Sequence, residues 1–359
     1  MRWQQNKIRT GLVMSFSLKE QIPNLLEATP GLSYEAYHRG KLVLKEDIGE
    51  VYKYYDLASL TKILFTTNFF MHLHQIYELN IDDRISSVIP EYKYFDHSIK
   101  DLLGHAVGYN WWNDYYKSIW NESLEFTESK QWPKLESILL NEEVDIKNKG
   151  VYSDLDFLFL GLFLRRYFGN NLIEIFSRYK EDLKLESCFF QVDNLKADNL
   201  KDFAPTEFSE IRKDTMQSQV HDENTFALGG VSTHAGLFGT IKDVSEIALQ
   251  YRNALKNESS IFQRETLKLF ISDSMDRKVG DWGLGFMKPS FGSSSCGKYF
   301  STNSFGHTGF TGTSLWVDPD ADLFVVILSN RINYGRDNKA FVPMRAEIHN
   351  AIYKEVIGV

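Results

Sequence analysis

Cysteine is nearly absent from this chain of 359 residues: there are two, Cys188 and Cys296. Two such thiols build no disulfide framework. Neither sits in a C-x-x-C or Cys/His pair, so no zinc site is expected and both read as structural. Positive charge is also short, with 40 Lys and Arg against 48 Asp and Glu and a net charge of −8. Without a basic run, a nucleic-acid partner is excluded. No run of 18 apolar residues exists, so no membrane-spanning helix is expected. Near the start, Arg2, Lys7 and Arg9 precede a short apolar stretch, 11–14, with no small-residue cleavage site after it. Segment 17–28 already reads as an amphipathic helix. The expected compartment is therefore the cytoplasm, or the periplasm had a leader been removed. What the chain does have is aromatic bulk, 26 Phe and 18 Tyr, enough for a large core or two packed units.

A first helix is expected over 18–27, stopped by Thr29-Pro30-Gly31. Strand patterns at 32–37 and 42–45, joined by His38-Arg39-Gly40-Lys41, make a hairpin. From Ser59 the period changes: Leu60, Ile63, Leu64, Thr67 and Phe70 follow helical spacing. Residues 66–225 read mostly as helix and loop, including the apolar run 157–163. Strand signals return at 235–239, ahead of a helix capped by Thr240 with Asp243 in its first turn. They continue at 282–287, 312–317 and 323–328, the last two flanking the turn Asp318-Pro319-Asp320-Ala321-Asp322. A helix over 342–356 closes the chain. This order predicts an α+β fold, an antiparallel sheet flanked by helices and built from 1–65 and 226–359. Residues 66–225 form an inserted, mostly helical subdomain.

Three segments carry chemistry. In Ser59-Leu60-Thr61-Lys62, residues three apart at a helix start share a face, which brings the lysine within reach of the serine hydroxyl. The helix N-terminus offers N–H groups to a developing oxyanion. Ser177-Arg178-Tyr179-Lys180 and Ser295-Cys296-Gly297-Lys298 fit the same spacing, but only the apolar helix behind Ser59 would bury its lysine and lower its pKa. Tyr152-Ser153-Asp154 precedes a buried helix, so its phenol either relays a proton in a cleft or simply packs at a helix start. In Phe305-Gly306-His307-Thr308-Gly309-Phe310-Thr311-Gly312, glycines along an extended segment let a ligand lie close, or mark a bulged edge strand.

Together and in this order, the three segments resemble the S-x-x-K, Tyr-led triplet and K-T-G elements of the serine β-lactamase and penicillin-binding superfamily. Within it the chain resembles the class C-like branch of β-lactamases, D,D-peptidases, D-aminopeptidases and esterases. Leu102-Leu103-Gly104-His105-Ala106-Val107-Gly108 and the stretches around 220–224 and 229–236 are similar to that branch too. The resemblance spans roughly 18–357. It implies Ser59 as nucleophile, Lys62 and Tyr152 as proton carriers, and an oxyanion hole made of the Ser59 and Phe310 N–H groups. It also implies substrate contacts from Asp154, His307, Thr308 and Gly309, with no metal and no cofactor. Asp154 stands where Asn is common, and His307 stands where many relatives carry Lys, which would give a charge that titrates near neutrality.

The partner implied is a small molecule or peptide. The activity implied is that of a D,D-carboxypeptidase on peptidoglycan-type peptides. A carboxylesterase or β-lactamase using the same acyl-enzyme, or a non-catalytic penicillin-binding-like sensor, are the alternatives. His72-Leu73-His74 diverges on a helix and His221-Asp222-Glu223 is too contiguous to converge on one ion. The aromatic cluster 109–116 is either core or a wall beside the cleft.

Overall fold

The computed structural model describes residues 16–120 and 127–359; the basic N-terminal stretch with Arg2, Lys7 and Arg9 lies outside them. Eight strands position the site: β1 (Gly31–His38), β2 (Lys41–Gly49), β3 (Tyr55–Asp56), β4 (Phe189–Phe190), β5 (Leu237–Gly239), β6 (Phe305–Thr308), β7 (Ser314–Asp318) and β8 (Leu323–Ser329). β1 and β2 form the expected hairpin, turning at Arg39 (φ 54°) and Gly40 (φ 74°). Two consecutive left-handed residues give a turn whose twist matches that of the strands. The other edge of β1 pairs with β8 from the far end of the chain, Leu32 opposite Ser329. An antiparallel five-stranded sheet results, in the order β2-β1-β8-β7-β6. β3, β5 and β4 make a second, smaller sheet that the sequence did not announce.

β8 is apolar at nearly every position because both of its faces are covered. Phe324, Val326 and Leu328 enter one core, which also takes Val244, Ile247 and Tyr251 and most of the helical residues. Leu323, Val325 and Ile327 enter another, with Leu18, Phe341, Ile348 and Ile352. Each such buried side chain contributes about 1.5–3 kcal/mol. Four helices support the cleft and its sheet: α1 (Asn68–Gln75), α2 (Asp154–Phe168), α3 (Ile241–Leu255) and α4 (Phe341–Ile357). α3 starts with the predicted capping box of Thr240 and Asp243. α2 is buried along its length through Leu164, since its sequence is apolar all round.

Two expectations fail locally. The helix over 18–27 is two short turns, Leu18–Gln21 and Leu25–Ala28. Pro23 between them has no amide hydrogen to continue the ladder. Segment 282–287 is not a strand but a loop whose ends meet, Trp282 bridging to Met287 and Met287 to Gly306. Gly283 and Gly285 lie in between, and Gly285 has a φ of +80°. Cys188 and Cys296 are both buried and unpaired.

Candidate active site

Ser59 follows a strained residue. Ala58 has a φ of 47°, a left-handed conformation that costs an L-residue about 1–2 kcal/mol. Buried Asp56 holds the turn, accepting from Ala58 N (2.8 Å) with one oxygen and from His221 N (2.7 Å) with the other. Behind Ser59 the helix is wound as a π-helix over Lys62–Thr67 before becoming α1, and every residue of that stretch is buried.

Burial is what defines Lys62, whose side chain is fully inaccessible. Its ammonium donates to Ser59 Oγ (3.2 Å), Tyr152 OH (2.6 Å), Asp154 Oδ1 (2.7 Å) and the His234 carbonyl (3.1 Å). Tyr152 OH in turn lies 2.7 Å from Ser59 Oγ and donates to Asp154 Oδ1 at 2.8 Å. Ser59, Lys62, Tyr152 and Asp154 are therefore one connected cluster. Desolvation lowers the Lys62 pKa from its ordinary value, and the Asp154 carboxylate pulls it back up. Desolvation and Asp154 both push the Tyr152 phenol well upward, so it stays protonated. The Tyr152 loop is pinned by Ser153, whose Oγ caps α2 through Leu155 N and donates to the Asn110 carbonyl. Asp154 N donates to the Trp111 carbonyl (2.9 Å), bringing the aromatic segment to the rim. There Trp111 is 61% exposed, while Tyr109 is core.

Opposite Ser59 runs the end of β6. Gly309 presses on the nucleophile turn: a Cβ there would lie 2.1 Å from Thr313 Oγ1 and 2.8 Å from the Leu57 carbonyl. Thr311 and Thr313 hydroxyls donate to the Asp56 and Leu57 carbonyls (2.8 and 3.1 Å), locking the two segments side by side. Phe310 is sandwiched between the His221 ring (5.5 Å) and the Arg331 guanidinium (4.9 Å).

His307 overturns an expectation. It is 1% exposed, its Nδ1 faces the Thr308 carbonyl at 2.8 Å, and Nε2 is buried with no hydrogen-bond partner. Burial and the Lys62 ammonium push its pKa down to about 3, so it is neutral at any ordinary pH and supplies no titrating charge. Asp154 also departs from a simple substrate contact. It lines the cleft, but its Oδ1 is committed to Lys62 and Tyr152.

Positive charge comes instead from residues that the sequence did not single out. A cleft of about 450 Å³ is lined by Ser59, Tyr152, Thr308, Gly309 and the aromatic residues Trp111, Trp112 and Trp282. Its far wall holds Arg331, Arg336 and Arg345. Arg336 is paired with Glu207 and Glu223. Arg331 and Arg345 are 4% and 6% exposed and form no ion pair among the described residues. Arg345 donates to the Gly309 carbonyl (3.1 Å) and Arg331 to the Asn338 carbonyl (3.1 Å), and the Nε of each is buried without a partner. Arg345 sits on the inner face of an otherwise amphipathic α4. An arginine on an apolar stripe was the signal available in the sequence.

With this geometry in view, the sequence matches the Beta-lactamase family over residues 18–342. The chain belongs to the Beta-lactamase family. It is 32% identical over 313 residues to an Escherichia coli K12 protein named "Putative D-alanyl-D-alanine carboxypeptidase", covering 77% of this chain and 69% of that one. A Salmonella agona protein of the same name is 27% identical over 371 residues, covering 92% and 81%. Among solved structures, an octameric penicillin-binding protein homologue from Pyrococcus abyssi superposes with a TM-score of 0.67 at 16% identity, over 95% of this chain and 77% of that one. EstCE1, a hydrolase with promiscuous acyltransferase activity, gives 0.65 at 16% identity over 92% and 97%. The fold is thus that of the β-lactamases and penicillin-binding proteins, and the chain is a serine hydrolase of that family.

Within this Beta-lactamase family chain, the other two S-x-x-K matches stand elsewhere. Ser177 is exposed on a surface helix, and neither it nor Ser295 lines the cleft. Asp154, Asp222 and His234 place ligand atoms within 4.8 Å of one another, a geometry that could hold a cation. All three are already engaged: Asp154 by Lys62, and His234 by Ser232 (2.7 Å) and Asp222 (3.0 Å). His221, Asp222 and Glu223 diverge to Glu207, His234 and Arg336.

Proposed function

We propose that this serine hydrolase is a D,D-carboxypeptidase-type enzyme, cleaving peptides that end in a free carboxylate through an acyl-enzyme on Ser59. The observation that carries the proposal is the pair of buried guanidiniums, Arg331 and Arg345, which line the cleft with Thr308 and Gly309. They form no ion pair among the described residues, Glu207 acting on Arg331 only from beyond contact. A buried charge is normally paired, and a chain that leaves two unpaired in its cleft is shaped for an anion supplied by the ligand. The curated relatives' name fits such a ligand.

In this mechanism Ser59 Oγ attacks the scissile carbonyl as its proton passes to Tyr152, whose own phenol proton passes to the neutral amine of Lys62. The carbonyl oxygen becomes an oxyanion held by the Ser59 and Phe310 N–H groups. The C–N bond breaks as Lys62 and Tyr152 return the proton to the leaving amine. Water then repeats the sequence against the ester, releasing the acid and Ser59. Asp154 balances the Lys62 charge whenever the lysine is protonated.

The test compares a peptide ending in D-Ala-D-Ala with the same peptide amidated at its C-terminus. The amide should lose about 10²-fold or more in kcat/KM, because its recognition would leave the two arginines buried and unpaired. Equal rates on both would transfer preference to an esterase reading, which the tryptophan-lined wall of the cleft favours. Release of product over many turnovers separates either enzyme from a non-catalytic sensor, which a β-lactam would label at Ser59 without turnover.

A further inference from the structure

Behind Tyr152 lies a second buried acid and base that the acyl-transfer steps do not use. His105 is fully buried in a left-handed backbone conformation (φ 53°), and its carbonyl accepts from Gly150 N at 2.8 Å. Its ring packs on Tyr152 (centroids 5.3 Å) and edge-on to Trp282 (4.5 Å). Its Nδ1 lies 2.7 Å from Oδ2 of Asp156, which is 1% exposed in the first turn of α2.

We propose that His105 and Asp156 are a neutral pair sharing one proton, a positioning device that fixes Tyr152 and keeps a further negative charge away from Lys62. Three features of the geometry favour neutrality. First, Ser153 N–H donates to the same Nδ1 at 3.3 Å, and only an unprotonated ring nitrogen accepts. The proton of the 2.7 Å contact then belongs to the carboxyl. Second, with Nδ1 bare the ring proton sits on Nε2, which has no partner among the described residues; a neutral N–H left unpaired there costs less than the charged donor of an imidazolium. Third, Asp156 Oδ1 is likewise buried and unpartnered, which a carboxylate would not tolerate. The surroundings agree. Asp154 and Asp101 face Asp156 with like charge, Lys62 with opposite charge, and Lys62 and His307 face His105. Burial and Asp154 raise the Asp156 pKa well above the carboxylate range, and burial and Lys62 lower that of His105.

The consequence rests on the acyl-enzyme reading. Asp154 and Asp222 already act on Lys62 as carboxylates; an ionised Asp156 would add a third and hold the proton on more firmly, and a neutral one does not. In the test, Asp156→Asn and Asp156→Ala are compared with the unmutated protein by infrared spectroscopy, thermal unfolding, β-lactam labelling and kcat against pH. A protonated-carboxyl band should be present at neutral pH and vanish in Asp156→Asn. That variant, whose amide can still donate to Nδ1, should keep kcat and its pH midpoint. Asp156→Ala should lose about 10²-fold in kcat with KM unchanged, the size expected when a reacting group is slightly misplaced. A missing band in the unmutated protein overturns the pairing even if the alanine variant fails to fold. So does an acid limb that moves to lower pH in Asp156→Asn, since that shift means a negative charge was removed beside Lys62. Failure of the unmutated protein to label at Ser59 would instead sink the acyl-enzyme reading and leave the infrared result standing.

Discussion

Two walls of one cleft treat buried positive charge in opposite ways. On one side Lys62 has Asp154 at 2.7 Å, plus a phenol, a hydroxyl and a carbonyl as acceptors. On the other, Arg331 and Arg345 have two carbonyls and the rings of Phe310 and Phe341, and no carboxylate in ion-pair contact among the described residues. A lysine is an amine that can lose its proton, so its counter-ion tunes when it does so. An arginine keeps its charge, so leaving it without a counter-ion makes the site wait for an anion. The compensated cation is suited to proton transfer and the uncompensated ones to recognition.

The largest effect should follow removal of the reacting group. Ser59→Ala should abolish β-lactam labelling and turnover while unfolding at nearly the same temperature. Labelling that survives would place the nucleophile elsewhere. Lys62→Ala and Tyr152→Phe should each cost about 10³–10⁴ in kcat, with a double variant scarcely worse than the poorer single, because groups acting as a unit are not additive. Multiplicative losses would separate their roles.

Arg345→Met sharpens the contrast between the walls. It should lower kcat/KM for acid-ended peptides by about 10²-fold, yet leave stability unchanged or raise it by about 1 kcal/mol, since a buried unpaired charge is replaced by a side chain of similar volume. A clear loss of stability would show that the guanidinium is structural.

The pH profile reads both walls at once. Turnover should climb with pH as Lys62 loses its proton, and the climb should begin below the usual lysine range because burial lowers its pKa. Asp154→Asn removes the opposing upward pull, so the acid limb should move to lower pH by roughly one unit. KM for an acid-ended peptide should stay flat from about pH 5.5 to 8.5, since His307 is already neutral there and the arginines remain charged. A midpoint near 6.5 in KM would restore His307 as a titrating contact.

The smallest effect belongs to the rim. Burial pushes Glu207 up, but hydrogen bonds from His221 and Arg336 outweigh it and hold its pKa at about 2. A depressed carboxylate stabilises the fold above its unfolded value of about 4.3, and this is lost as pH falls toward 2. Glu207→Gln should therefore cost about 1 kcal/mol at neutral pH, modest because Arg336 is half-exposed, and nothing near pH 2. Equal costs at both would remove the ion pair from the account.

Much of this is legible in the chain. Ser59, Lys62 and Tyr152 stand out because helical spacing and a loop before an apolar run are local signals. The hairpins of the main sheet follow from alternation and turns, whereas the strand order is a tertiary fact. His307 misleads because its residue type suggests titration while its environment, set by β6, Tyr152 and Lys62, is a tertiary fact. The arginine wall is hidden for the same reason: Arg331 is an ordinary letter until the turn after β8 buries it, and Arg345 shows only as an arginine on the apolar stripe of α4. Pro23 and the glycines of 282–287 are plain in the sequence, and there they outweigh a periodicity that points to regular structure.

The pairing of Leu32 with Ser329 has a further consequence during synthesis. The first hairpin leaves the ribosome long before the strand that completes its sheet. At roughly 5–20 residues per second it waits about 15–60 seconds with one edge of β1 bare. A bare strand edge invites pairing with any other chain, so nascent copies should depend on a chaperone, and slowed translation between the two strands should lower soluble yield.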